Sequence, residues 1–230
     1  MWAKIAGLLL SAACLAGAAP ASGADDPSNC NGIRWDDNRA LAVAKVTAPS
    51  RVNFLKSPYD DRSTAASCPA ATKVCRKKAY LVSGDLVLVG KTQGDFTCVD
   101  YQSPRAKTQI WIRGWLPSAA LTPFAPTPSR ESSDWIGRWR HPGGFVEIKN
   151  GDGGKLRVEA GMTVPTPSGD FQNGDFQAQV DPRNIIAFAD EGVYGDGCHV
   201  RMQRVGPWLL VEDNGGCGGA GVTFTGLYRR

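Results

Sequence analysis

The chain has 230 residues, 42% of them hydrophobic and 21% charged, with 26 basic against 22 acidic side chains, 27 glycines, 15 prolines and seven cysteines. A net charge of +4 with no basic-aromatic interleaving argues against a nucleic-acid-binding protein. Beyond the first 24 residues no apolar run approaches the roughly 20 residues of a membrane-spanning helix, so none is expected in the mature chain.

Lys4 supplies one positive charge, Ile5 to Ala19 is almost wholly apolar, and small residues follow Pro20. This is the three-part layout of a secretory signal peptide, with cleavage expected between Ala24 and Asp25. A rival reading makes Cys14 a lipid-modified N-terminus, but Ser11 occupies the position where that modification wants an apolar residue. The expected location is therefore periplasmic or secreted, with Cys14 lost in the peptide.

Removing Cys14 leaves Cys30, Cys68, Cys75, Cys98, Cys198 and Cys217, an even set in a chain bound for an oxidising compartment, which reads as three disulfides. Cys198 and Cys217 pair as the only cysteines of the C-terminal half. The first four permit three pairings; a short Cys68–Cys75 loop, leaving Cys30 for Cys98, is favoured without excluding the others. Residues 122–133, with three prolines and five hydroxyl side chains, have the composition of a linker. The expected organisation is a signal peptide at 1–24, an N-terminal domain at 25–121, this linker, and a C-terminal domain at 134–230. Residues 25–133 carry a net charge of +5 and residues 134–230 one of −2.

In the N-terminal half, short apolar bursts separated by turn residues predict a small antiparallel barrel or sandwich. They are Leu41–Val46, Val52–Leu55, Ala79–Val82, Leu86–Val89, Phe96–Tyr101 and Ile110–Leu116. Gly84-Asp85, the strand Leu86–Val89, Gly94-Asp95-Phe96, Gly114-Trp115-Leu116 and a closing Leu121 occur in that order. Over about residues 51–122 this resembles a bacterial SH3-like domain, with Cys68, Cys75, Cys98 and a long Ser63–Thr72 loop as departures. The resemblance implies attachment to cell-wall peptide or to a protein, without chemistry. Tyr59, Asp60, Tyr101 and Trp111 are the candidate binding surface, although each would also serve as an ordinary core or rim residue.

The C-terminal half opens with Trp135-Ile-Gly-Arg-Trp139 and continues in strand-like runs. These are Phe145–Lys149, Leu156–Ala160, Asp175–Val180, Ile185–Phe188, Cys198–Met202, Trp208–Glu212 and Val222–Tyr228. Seven or eight short strands with glycine-rich turns predict an antiparallel barrel or sandwich, so the whole mature chain is expected to be all-β. Gly137-x-Trp139 and Gly226-x-Tyr228-Arg229 resemble the ends of lipocalin-type barrels, which implies a first-strand Trp beneath a basic residue from the last strand.

Glu212-Asp213-Asn214-Gly215-Gly216-Cys217-Gly218-Gly219 reads as a disulfide-anchored turn, or as a protruding loop with Asp213 and Asn214 at its tip. Only His141 and His199 can act as imidazole bases, and no Gly-x-Ser-x-Gly elbow occurs. A His upstream of a Cys is also the layout of cell-wall L,D-transpeptidases, but their Ser/Thr-His-Gly-Cys and following Arg are missing around Cys217. A disulfide with Cys198 would consume the thiolate. Zinc-type cysteine spacing, a calcium-loop pattern and phosphate-loop fingerprints are likewise missing, so no metal, other cofactor or catalytic set is expected. The reading is an exported binding protein with a partner in the cell envelope, an inhibitor or immunity protein against a wall-degrading enzyme being one such case. The alternatives are a peptidoglycan-binding module and a wall-modifying enzyme using His199 and Cys217.

Overall fold

The computed structural model describes residues 27–34, 36, 39–60, 67–106, 110–127, 131–181, 186–190 (backbone only) and 197–230. The expected signal peptide, its cleavage site and Cys14 lie outside them. The described chain is all-β with antiparallel pairing, and its only helical segments are three-residue 3-10 turns. No helix among the described residues is long and apolar enough to cross a membrane.

One sheet of seven strands takes up the N-terminal half: β1 (Ala42–Val46), β2 (Val52–Leu55), β3 (Arg76–Leu81), β4 (Leu86–Gln93), β5 (Phe96–Gln102), β6 (Trp111–Pro117) and β7 (Leu121–Pro123). Their spatial order is β3-β2-β6-β5-β4-β1-β7. Strand alternation separates its two faces. Val46, Phe54, Leu81, Val87, Val99 and Leu116 turn inward as one apolar cluster, each almost fully buried. Complete burial of a side chain of this size contributes about 1.5–3 kcal/mol. Gly114 lets β6 close against β2, because a Cβ there would lie 2.8 Å from the Leu55 carbonyl oxygen.

On the opposite face of the β5–β6 ladder, Cys98 stands across from Trp115, Asp100 from Arg113 and Gln102 from Trp111. The first pair joins a second cluster holding both N-terminal disulfides, Cys30–Cys98 and Cys68–Cys75. Ser57 ties it together: its hydroxyl accepts from the Cys30 amide at 2.8 Å and from the Trp115 indole at 3.1 Å. The other two pairs face the C-terminal half.

That half contains β8 (Gly137–His141), β9 (Gly144–Asn150), β10 (Leu156–Pro165) and β11 (Phe171–Val180) in one sheet. A second sheet holds β12 (Ile186–Asp190), β13 (His199–Val205), β14 (Trp208–Asp213) and β15 (Gly226–Tyr228). Each strand pairs with its sequence neighbours within the sheet. First and last strands meet where Arg140 and Arg229 exchange backbone hydrogen bonds of 2.6 and 3.0 Å. Between the sheets lies one core that includes Trp135, Trp139, Ile148, Leu156, Met202, Phe224 and Tyr228. The Trp139 ring lies beneath two guanidinium groups, Arg230 at 4.5 Å and Arg204 at 4.8 Å from its centroid. Its indole N–H donates to the Trp135 carbonyl at 2.8 Å.

The last strand is shorter than the run from Val222 predicts. Amide groups of Phe224 and Thr225 donate to the Asp213 carboxylate instead of a neighbouring strand, so pairing begins only at Gly226. The segment 122–133 also does more than its composition implies. Its first two residues end β7, Phe124 donates to the Val43 carbonyl, and Thr127 donates to the Arg204 carbonyl. Val43 and Leu88 pack with Val205 and Leu210 in a cluster shared by the two halves.

Candidate functional site

A cleft of about 470 Å³ lies along this shared seam. The β5–β6 ladder supplies Asp100, Trp111 and Arg113 from one side. The end of β14 and the loop after it supply Glu212, Asp213, Asn214 and Gly215 from the other, with Thr223 and Thr225 beside them. The N-terminal segment crosses between, contributing Ile33, Arg34 and Leu41.

Asp100 is held by the crossing segment and by its cross-strand neighbour. Its Oδ2 accepts from the Ile33 amide at 3.1 Å and faces Arg113 Nε at 3.4 Å. Burial pushes the carboxyl above its ordinary value, while the Ile33 amide and then the Arg113 charge pull the other way. Glu212 is directly opposite Arg201 in the β13–β14 ladder, and the two form an ion pair of 3.2 Å with both side chains about 97% buried. Oε1 of Glu212 accepts from the Leu41 amide at 2.9 Å, so the crossing segment is fastened to both walls. Burial raises the Glu212 carboxyl too, opposed by the Leu41 amide and Arg201. Gln203 donates to the Leu41 carbonyl at 2.9 Å and Arg201 to the Asp36 carbonyl at 2.6 Å.

The glycine-rich loop is built around two side chains. Asp213 Oδ1 accepts from the hydroxyls of Thr223 at 2.5 Å and Thr225 at 2.8 Å and from the amides of Phe224 and Thr225, both at 3.0 Å. Its Oδ2 accepts from the Gly215 amide at 3.2 Å. Asn214 Oδ1 accepts from the amides of His199 and Gly216, while its Nδ2 donates to the Gly197 carbonyl. The idea of Asp213 at a protruding tip is therefore corrected: it is 5% exposed, because its carboxylate is the acceptor that organises the loop. The Cys198–Cys217 disulfide closes the base.

Of the six candidate binding residues, Trp111, Asp213 and Asn214 come together in this cleft. Tyr59 and Asp60 lie elsewhere, at a turn where Asp60 accepts from the Ser57 amide at 2.6 Å and pairs with Lys77 at 3.0 Å. Tyr101 packs against the core of the seven-stranded sheet, and burial, followed by the Asp85 charge, raises its phenol. Asp100, Arg113, Arg201 and Glu212 were not among the candidates, although acids and bases inside apolar strand runs signal a covered polar partner.

The two histidines have different surroundings. His199 is exposed at the start of β13, and Cys217 has its sulfur bonded to Cys198. His141 is buried, stacked on Tyr228 with ring centroids 4.6 Å apart, and burial lowers its pKa to about 4. Among the described residues no group of three or more His, Cys, Asp or Glu side chains is placed to hold a metal ion. No protein-family model, no curated protein and no solved structure matches the chain.

Proposed function

We propose that this chain is an exported binding protein, of the inhibitor or immunity type, whose partner is a protein of the cell envelope. The observation that carries this reading is the state of Cys217. Its sulfur is bonded to Cys198 and the residue is 3% exposed, so the His199–Cys217 combination has no thiolate with which to attack wall peptide. The seam cleft adds support, since its carboxylates are tied to arginines, amides and hydroxyls and form a stiff recognition surface. Three disulfides suggest an oxidising, extracytoplasmic setting.

The test uses the mature chain immobilised at low salt and challenged with periplasmic extract, beside sedimentation with purified sacculi. Expected is a saturable protein partner displaced by soluble chain. Retention on sacculi with no protein partner would replace this reading with that of a peptidoglycan-binding module. Titration of thiols in the unfolded, unreduced chain is expected to find none, and a free Cys217 would restore the enzyme reading.

A further inference from the structure

We propose that the seam cleft binds a neutral, polyhydroxylated ligand of the saccharide class. At about 470 Å³ the cleft falls within the roughly 300–1,000 Å³ range of small-molecule sites and has room for a mono- or disaccharide. Its lining narrows the chemistry. Arg113 offsets Asp100, Arg201 offsets Glu212, and five donors from the loop surround the Asp213 carboxylate. Each of these carboxylates already faces a countercharge or a full set of donors, and the arginines that meet them are engaged, so Arg34 at the exposed edge is the one lining charge without a countercharge among these pairs.

The polar capacity that remains is of mixed sense. On the wall shared by β5 and β6, Asp100 Oδ1 is an acceptor and Trp111 Nε1 a donor, both buried without a protein partner. Both atoms of the Gln102 side-chain amide beside them are in the same condition. Asp100 and Trp111 line the cleft and also a cavity of about 20 Å³ behind it, which Gln102 shares and which has room for one water. A donor and an acceptor that have to be satisfied together suit a hydroxyl group, which gives and takes one hydrogen bond, either directly or through that water. Trp111 adds an amphipathic ring and Arg34 an exposed polar group to the lining, whereas the side chains of Asn214, Thr223 and Thr225 are already bonded within the loop. An apolar ligand would leave Asp100 Oδ1 and Trp111 Nε1 desolvated and unpaired.

The inference rests on reading the chain as a binding protein, and one experiment tells the two apart. Cellobiose and diacetylchitobiose are titrated separately, to millimolar concentration, into the isotope-labelled mature chain, following the indole and backbone N–H resonances and the integrity of each sugar. Trp111→Phe keeps a ring and removes the indole N–H, which assigns its signal. A saturable shift of the Trp111 indole and of the Asn214 and Thr225 backbone amides by either intact sugar is the expected result, the amide shifts reporting an affinity about tenfold weaker in Trp111→Phe. No shift with either sugar, or equal affinity in the wild type and Trp111→Phe, overturns the site whatever becomes of the protein partner. Cleavage of a bound sugar would keep the site and overturn the binding-protein reading.

Discussion

His141 makes the stability of this protein depend on mild acid. The imidazole is 6% exposed, stacked on Tyr228 where the first and last strands of the C-terminal half meet, and its folded pKa is about 4 against an ordinary value of 6.5. Between those two values the unfolded chain holds a proton that the folded chain refuses. The contribution of the neutral ring is therefore fully present above pH 6.5 and is lost as pH falls towards 4. At 1.36 kcal/mol for each pH unit, the loss between pH 7 and pH 4 is about 3 kcal/mol. Asp100 and Glu212 act in the opposite sense, since burial favours their protonated forms and acid relieves the strain of their charges. Urea unfolding at both pH values, for the wild type and His141→Asn, cancels these shared effects. The wild type should lose about 3 kcal/mol more than the variant over that interval. With only two histidines in the chain, NMR can follow the ring directly. Equal acid losses in the two proteins, or a His141 ring titrating near 6.5, would refute the reasoning.

Replacing both Cys198 and Cys217 by Ser frees a 19-residue loop and should lower unfolding free energy by about 3 kcal/mol, read by urea melts without reductant. Arg201→Met leaves the Glu212 carboxylate buried without its 3.2 Å partner and should destabilise the fold by about 3–5 kcal/mol. The double variant Arg201→Met/Glu212→Leu should recover part of that loss, as a double-mutant cycle by chemical denaturation can measure. Gly174→Ala puts a Cβ 2.6 Å from the Cys217 carbonyl oxygen, a backbone atom with little room to move, and should cost about 1–3 kcal/mol in thermal unfolding.

Local patterns carried much of the architecture. Alternation along Phe96–Gln102 separates Val99 and Tyr101 from Cys98 and Asp100 because a strand has a period of two, and this holds before any partner is known. The expected signal peptide, the even set of cysteines after it and the seven-residue Cys68–Cys75 spacing made three bridges readable, and the first four cysteines found the favoured pairing. The final strand was misread because nothing local to Val222–Thr225 reveals that Asp213, about ten residues earlier, takes two of its amides. The cleft depends on still longer range. Ile33 reaches Asp100 across 67 residues and Leu41 reaches Glu212 across 171, contacts that exist only once both sheets have their registers and pack together. The sequence by itself determined the strand periods and the number of bridges, since the first arises from neighbouring residues and the second from an even set of cysteines, while the pairing of the first four was left to the fold. Only the tertiary structure decided which buried acid meets which arginine, because that depends on which strand faces which across the seam.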